Sequence, residues 1–181
     1  MSVLLEIVRL LLSTGAALLG GALLLRVYLA WLRIARQNPL VQFSSALTDW
    51  LVRPLRVLLS SRSRLDWPCL VAALIVALVF VPLMRATELG PGPSWAMVVP
   101  QALSLIAHWA LYMLLMLVTI YALLSLINPH APLAPTFDLL TRPLLQPLRR
   151  VVPPVGGWDL TPMVFMLIVM ILLTILDSIR L

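Results

Sequence analysis

The sequence predicts an all-α membrane protein: four transmembrane helices arranged as two parallel repeats, each a span, an amphipathic loop helix and a second span. Three observations predict it. Hydrophobic residues make up 62% of the 181 residues and charged residues 11%, with a mean hydropathy of +1.05. Soluble domains sit near about 45–50% apolar and about 25% charged, so there are too few polar side chains here to clothe a water-facing globule. Four stretches are apolar for the roughly 20 residues that cross about 30 Å of hydrocarbon at about 1.5 Å per residue. The segments that follow the first and third of these stretches resemble each other. Together these exclude a disordered chain and a water-soluble enzyme.

The first span covers about residues 10–32 and is interrupted only by Arg26. Glu6 and Arg9 cancel at its start, and apolar sequence continues past Gly20, Gly21 and Ala22. It therefore reads as a retained span and not as a cleaved leader. Arg26 lies near its inner end, where a long cationic side chain can snorkel to the headgroups, and Tyr28 and Trp31 suit the interfacial belt. The second span, 67–84, is bracketed by Asp66 and Arg85. The third apolar stretch, 94–127, has His108 as its one ionisable residue. Pro100 suits a first helical turn, where its missing N–H costs nothing. A helix over about 100–126 would measure on the order of 40 Å, so it must tilt or project. Gly90-Pro91-Gly92-Pro93 marks the turn before it. The fourth span, 160–176, lies between Asp159 and Asp177.

The 13 cationic residues are all Arg; against 7 acids they give a net charge of +6 and a pI near 11.0. In a membrane protein such basic segments set topology. Arg33, Arg36, Arg53, Arg56, Arg62 and Arg64 follow span one, and Arg142, Arg149 and Arg150 follow span three. Arg9, Arg85 and Arg180 fall on the opposite side. The positive-inside rule then makes both long loops cytoplasmic and both termini periplasmic. The lone Cys69 excludes an intrachain disulfide and a multi-Cys metal site.

Thr48–Asp66 aligns without gaps on Thr141–Asp159 at an offset of 93. Thr48/Thr141, Leu51/Leu144, Pro54/Pro147, Leu55/Leu148, Arg56/Arg149 and Asp66/Asp159 are identical, six of 19 positions. Asn38-Pro39 precedes the first copy and Asn128-Pro129 the second, which carries three extra residues. The repeats are thus 3–87 and 94–181, and a two-span unit returns the chain to its starting side, so they run parallel about an axis along the membrane normal. In the segment 38–60, Leu40, Phe43, Leu47, Trp50 or Leu51, Pro54 and Leu58 recur at helical spacing, with Gln42, Ser45, Asp49, Arg53 and Arg56 opposite. In 136–152, Phe137, Leu140, Leu144, Leu148 and Val151 form the apolar stripe, with Asp138, Arg142, Gln146 and Arg149 opposite. Both are too short and too polar to span; they read as amphipathic helices in the interface. Asn38 can cap the first and Pro39 fits its first turn. Pro54 and Pro147 should kink or end their helices.

Asn-Pro, then Thr-x-x-x-x-x-Pro-Leu-Arg, then an Asp before a span resembles the YggT family, also called YlmG. The second copy, TRPLLQPLRRVVPPVGGWDLTP, matches that signature nearly throughout; the first, TDWLVRPLRVLLSSRSRLDWP, lacks the Pro-Pro and Gly-Gly elements. The resemblance covers nearly the whole chain, because the family is itself this duplicated unit. It implies a bacterial inner-membrane protein of no settled biochemical activity. The family is associated with osmotic and ion-stress tolerance and with cell-division gene neighbourhoods, and its plastid members with cytochrome assembly and nucleoid organisation. It supplies no catalytic residue to carry over.

Several residues invite a functional reading beside a plainer one. His108, as an intramembrane ionisable group, is a candidate haem ligand or proton carrier; the plainer reading is a neutral imidazole held by hydrogen bonds. His130 reads as a solvated loop residue. Met163, Met166 and Met170 share a helix face, where packing or lipid contact is the ordinary explanation. Cys69 reads as a small buried hydrophobe, and Trp67, Trp95, Trp109 and Trp158 as interfacial anchors. Ser13, Ala17 and Gly21, with Ala16 and Gly20 beside them, and Ala73 with Ala77, form small-residue stripes suited to close helix approach, within the chain or in a homo-oligomer. Arg56 and Arg149 can pair with Asp66 and Asp159 of their own repeats or bind lipid phosphate; the structural pair is the favoured reading.

No Gly-rich phosphate loop, His/Glu metal motif or nucleophile–base spacing marks an enzyme, and no cofactor is implied. Direct nucleic-acid binding is disfavoured, since the Arg segments lack interleaved aromatics. The expected role is a non-enzymatic membrane scaffold or assembly factor. Its partners would be the lipid bilayer, including anionic lipid at the cytoplasmic loops, and membrane or division proteins. The alternatives are a small oligomeric transporter or channel, with Ser13, Thr14, Ser104 and Thr119 as polar lining, and a haem or cytochrome assembly factor.

Overall fold

The computed structural model describes residues 2–59, 66–86, 95–128, 130–152 and 159–179. The Gly90–Pro93 turn, Pro129, Pro153, Pro154, Gly156, Gly157, Trp158, Arg62, Arg64, Arg180 and the side chain of Trp95 lie outside the described residues. The described residues form six helices: α1 (Ser2–Trp31), α2 (Pro39–Leu58), α3 (Trp67–Ala86), α4 (Trp95–Ile127), α5 (Ala134–Arg149) and α6 (Thr161–Ser178). Four are long and apolar enough to cross a membrane, over Val3–Trp31, Trp67–Ala86, Ala96–Ile127 and Thr161–Ser178. These four mark a multi-pass membrane protein.

The helices differ from expectation where proline was used to place their ends. α4 begins at Trp95, so Pro100 sits in its second turn and not in its first. Pro100 lacks the N–H that the Ala96 carbonyl would otherwise meet, a loss confined to the start of a long helix. Pro54 lies inside α2, which continues to Leu58, and Pro143 and Pro147 lie inside α5, which ends at Arg149. Proline therefore ends neither helix at its own position. In α2 the helix is held on both sides of Pro54, by Val52 and Leu55, which face the protein.

α1 ends in a Schellman turn. Arg33 N–H donates to Ala30 O at 3.0 Å, and Ile34 N–H donates to Leu29 O at 3.1 Å. The residue between the helix and its exit must then be left-handed, and Arg33 has φ of 55°. A side chain at that position carries a steric cost that glycine would not. The turn redirects the chain at once into α2, where Asn38 Oδ1 accepts from Leu40 N–H at 3.0 Å and Pro39 opens the helix.

The chain packs as two compact units whose boundary falls inside α4, between Ala110 and Leu111. In the first unit α1 packs on α3 and α2, and α2 packs on α3. Its core joins Leu23 and Leu29 of α1, Val52 of α2, and Cys69, Ala72, Ala73 and Ala77 of α3. The alanines let helix backbones approach closely, so packing contacts replace the hydrophobic drive that lipid cannot supply. On α1 the buried small residues are Ala16, Gly20 and Ala22, while Ala17 faces outward and Ser13 and Gly21 are half-buried. The indole of Trp109 lies against Gly20, where an added Cβ would overlap the ring. Trp109 is therefore buried and does not act as an interfacial anchor. In the second unit α5 packs on α6, with Phe137, Leu140, Leu145 and Val169 in the core. Thr119 Oγ1 lies 3.4 Å from Met166 Sδ, whereas Met163 and Met170 face outward.

Candidate functional site

Charged side chains gather at the ends of the amphipathic helices. In the first unit the centre is Arg26, expected to reach past the span to the headgroups but instead 7% exposed and turned onto α2. Its Nη1 donates to Asp49 Oδ1 at 2.7 Å and to Thr48 Oγ1 at 2.9 Å. Its Nε lies 4.0 Å from Asp66 Oδ2, which also accepts from Arg56 Nη2 at 2.8 Å. Arg53 Nη2 stands 3.7 Å from Asp49 Oδ2. Two carboxylates are thus enclosed by three guanidiniums, and the cluster ties α1, α2 and the start of α3 together. Thr48 completes it: its hydroxyl donates to Ser44 O at 2.7 Å and presents its oxygen to Arg26.

Asp66 has a second task. It immediately precedes α3, and its carbonyl accepts from Cys69 N–H at 3.0 Å and Leu70 N–H at 3.3 Å. A carboxylate at a helix N-terminus also opposes the positive end of the helix dipole.

In the second unit Arg149 Nε donates to Asp159 Oδ2 at 3.0 Å, and its Nη2 lies 3.0 Å from that same oxygen. Asp159 Oδ1 accepts instead from Thr161 N–H at 3.0 Å, at the start of α6. Both guanidinium donors therefore meet one carboxylate oxygen while the other holds the helix start. Arg149 Nη2 also donates to Tyr121 Oη of α4 at 2.9 Å. Burial opposes charge on Asp159, but bonding to Thr161 and the Arg149 charge outweigh it and hold the carboxyl below its ordinary pKa. Burial likewise opposes the Arg149 charge, yet Tyr121 and Asp159 outweigh it and raise the guanidinium. Arg142 pairs with Asp138 at 3.2 Å one turn away, on an exposed face.

The remaining sequence candidates fall as follows. Thr48 and Thr141 are both fully buried and both donate to the carbonyl four residues back, Ser44 and Phe137 respectively, the latter at 2.8 Å. Asn128 Oδ1 accepts from His130 N–H at 3.2 Å, the same i to i+2 bond that Asn38 makes. Yet α5 starts only at Ala134, because turns closed by Ala131 N–H to Asn128 O and Ala134 N–H to Ala131 O intervene. They take up the three extra residues of the second copy. His108 is half-buried, with Nδ1 2.8 Å from Ser104 O on its own helix. Among the described residues no group of three or more His, Cys, Asp or Glu is placed to hold a metal.

Sequence reasoning missed the link from Arg26 to Asp49. The signal was present: a guanidinium inside an apolar span demands an acid, and Asp49 is one of only two acids between spans one and two that could supply it.

The amphipathic helices also differ in what they turn inward. α2 presents Ser44, Thr48 and Val52 to the protein and leaves Phe43, Leu47, Trp50, Val57 and Leu58 exposed. Its expected apolar stripe is thus not the packed face. α5 presents Phe137, Leu140, Thr141 and Leu145 to the protein and leaves Arg142, Gln146 and Arg149 outside.

The CCB3/YggT family matches residues 1–87 and 100–180, and the chain belongs to that family. Uncharacterized protein YggT of Escherichia coli (strain K12) is 26% identical over 173 residues, covering 90% of this chain and 85% of that one. An uncharacterized protein of Haemophilus influenzae is 28% identical, covering 83% and 80%. An uncharacterized protein in the proC 3′ region of Vibrio alginolyticus is 29% identical, covering 85% and 84%. No solved structure matches the chain.

Proposed function

We propose that this member of the CCB3/YggT family is a bacterial inner-membrane scaffold or assembly factor without catalytic activity, serving osmotic-stress tolerance or cell division. One observation carries the reading. The charge at the membrane-surface helices is bonded internally, the buried Arg26 to Asp49 and Thr48 and the more exposed Arg149 to Asp159 and Tyr121. Such pairs fix the angle of a surface helix against a span and leave an exposed, shaped platform; a transport path would need its ionisable groups facing a cavity. In the same reading the chain is two parallel repeats, 3–87 and 94–181. Its Arg-rich segments are cytoplasmic and its termini periplasmic, supported by the nine-to-three division of Arg.

Crosslinking in native membranes, followed by identification of what is captured, tests the role. Recovery of a reproducible set of membrane or division proteins is expected. Capture of the chain alone, with conductance in liposomes, would replace the scaffold by an oligomeric channel, and a Soret band in purified protein would replace it by haem handling. A C-terminal fluorescent fusion should be dark and a phosphatase fusion active.

A further inference from the structure

The exposed surface of α2 is divided in a way that α5 is not. At about 100° per residue, Ser44, Thr48 and Val52 define one face of α2, buried against α1 and α3. Roughly 100–180° away to one side lie Leu47, Phe43 (60% exposed), Trp50 (66%) and Val57 (86%). To the other side lie Gln42, Asp49, Arg53 and Arg56. A helix wrapped by protein on one side needs only two faces; this one has a third, apolar and uncovered. We propose that α2 inserts this face into the acyl region of the leaflet at which α1 ends, and that α5 does not insert.

Three features identify lipid as the occupant. The helix follows a span that ends at Trp31 and precedes one that starts at Trp67, so the chain holds it at the level of the membrane surface. On the other exposed side of the helix the Arg53 guanidinium is complementary to lipid phosphate. The Trp50 indole N–H donates to Leu47 O at 2.9 Å, within its own helix. That donor is satisfied without water or a partner chain, which lets the ring enter hydrocarbon at little cost. On α5 that stripe is not repeated: at the offset of 93, Leu47 corresponds to Leu140, which is fully buried, and Trp50 and Val57 correspond to Pro143 and Arg150. The outward side of α5 carries Asp138, Arg142, Gln146 and Arg149, with Leu139 as the exposed apolar residue among them. Arg26 sets the depth at which α2 lies, because it fastens Thr48 and Asp49 to α1.

The inference rests on the multi-pass reading and not on the scaffold role, so the two fail separately. The test uses the full chain with Cys69→Ala, reconstituted in vesicles of phosphatidylethanolamine and phosphatidylglycerol. Single nitroxides are placed by Phe43→Cys, Leu47→Cys, Val57→Cys, Gln42→Cys, Arg53→Cys, Leu139→Cys or Gln146→Cys. The ratio of oxygen to nickel-chelate collisions is expected to be severalfold higher at 43, 47 and 57 than at 42, 53, 139 and 146. An equal ratio at 47 and 53 would overturn insertion. Screening of 43, 47 and 57 from both reagents would overturn it in favour of a covering protein. A lipid-like ratio at 139 and 146 would overturn the asymmetry. Unlabelled Trp50→Phe protein gives an independent reading: brominated acyl chains should quench a smaller fraction of its fluorescence than of the parent's, and equal quenching would contradict the insertion of Trp50.

Discussion

The surroundings of Arg56 and Arg149 make a natural comparison. Each arginine follows Pro-Leu near the end of an amphipathic helix and reaches an aspartate ten residues on, at 2.8 and 3.0 Å. The surroundings then diverge. Around Asp66 a second guanidinium approaches, from the buried Arg26, and the inward side of α2 is polar enough, at Ser44 and Thr48, to receive it. Around Asp159 the place of a second cation is taken by the Tyr121 hydroxyl bonded to Arg149, and the inward side of α5 is packed with Phe137 and Leu140. Asp49 of the first cluster stands opposite Arg142 in the second. One arrangement fastens a surface helix by a buried charge network; the other fastens it by hydrophobic burial with a peripheral ion pair. The same motif can therefore be kept while the source of its rigidity changes.

If that contrast holds, the largest loss comes from Arg26→Ala. It strands Asp49 and weakens the hold on Asp66, and breaking a buried ion pair from one side costs about 3 kcal/mol. Thermal unfolding in detergent should show it as the steepest drop of the set, and a drop no greater than that of Arg149→Ala would erase the distinction. Next come Arg149→Ala and Arg56→Ala, each about 1 kcal/mol, since both pairs are partly exposed and screened. Acid separates the two causes further. The Asp159 carboxyl lies below its ordinary value of 3.8, so its stabilisation is complete above that pH and is lost as pH falls through the depressed value. The stability gap between the parent and Asp159→Asn should close in that range, and a gap that persisted there would assign the effect to packing. Arg33→Gly should stabilise by about 0.5–1 kcal/mol, because glycine relieves the left-handed turn at the end of α1. A loss instead would show that the Arg33 side chain supports the first cluster. Smallest is Arg142→Ala, within about 0.5 kcal/mol, because its partner Asp138 lies on an exposed helix face. A loss matching that of Arg149→Ala would place the second unit's ion pairs on an equal footing.

Much of this was readable from residue order. Twenty apolar residues in a row can do little but span, so α3 and α6 fall close to where hydropathy puts them. The Asn-Pro steps and the ten-residue interval from Arg56 to Asp66 and from Arg149 to Asp159 likewise point to the contacts found. What could not be read was orientation about a helix axis. An amphipathic pattern has two sides, and it does not say which of them meets the protein: α5 packs its apolar side and α2 its polar side. The buried Arg26 reverses the choice, since a guanidinium seeks Thr48 and Asp49 and leaves Leu47 and Trp50 outside. Likewise the stripe through Ala17 and Gly21 and the stripe through Ala16 and Gly20 are one residue apart; the Trp109 ring selects the second. Pro54 and Pro147 do not stop their helices at their own positions, because a helix packed on its neighbours tolerates the loss of one backbone bond.

Thr48 carries a consequence of a different kind. Its hydroxyl has a single proton, and the 2.7 Å bond to Ser44 O commits it. Only lone pairs then remain to face Arg26, at 2.9 Å. The rotor has one acceptable orientation, set from below by the helix and from above by the guanidinium. A group that ordinarily spins freely becomes a polarity marker, which accepts an incoming donor and turns away an incoming acceptor. The junction between α1 and α2 is thereby keyed to a cation: an acid brought to the position of Arg26 would meet an oxygen that has no proton left to give.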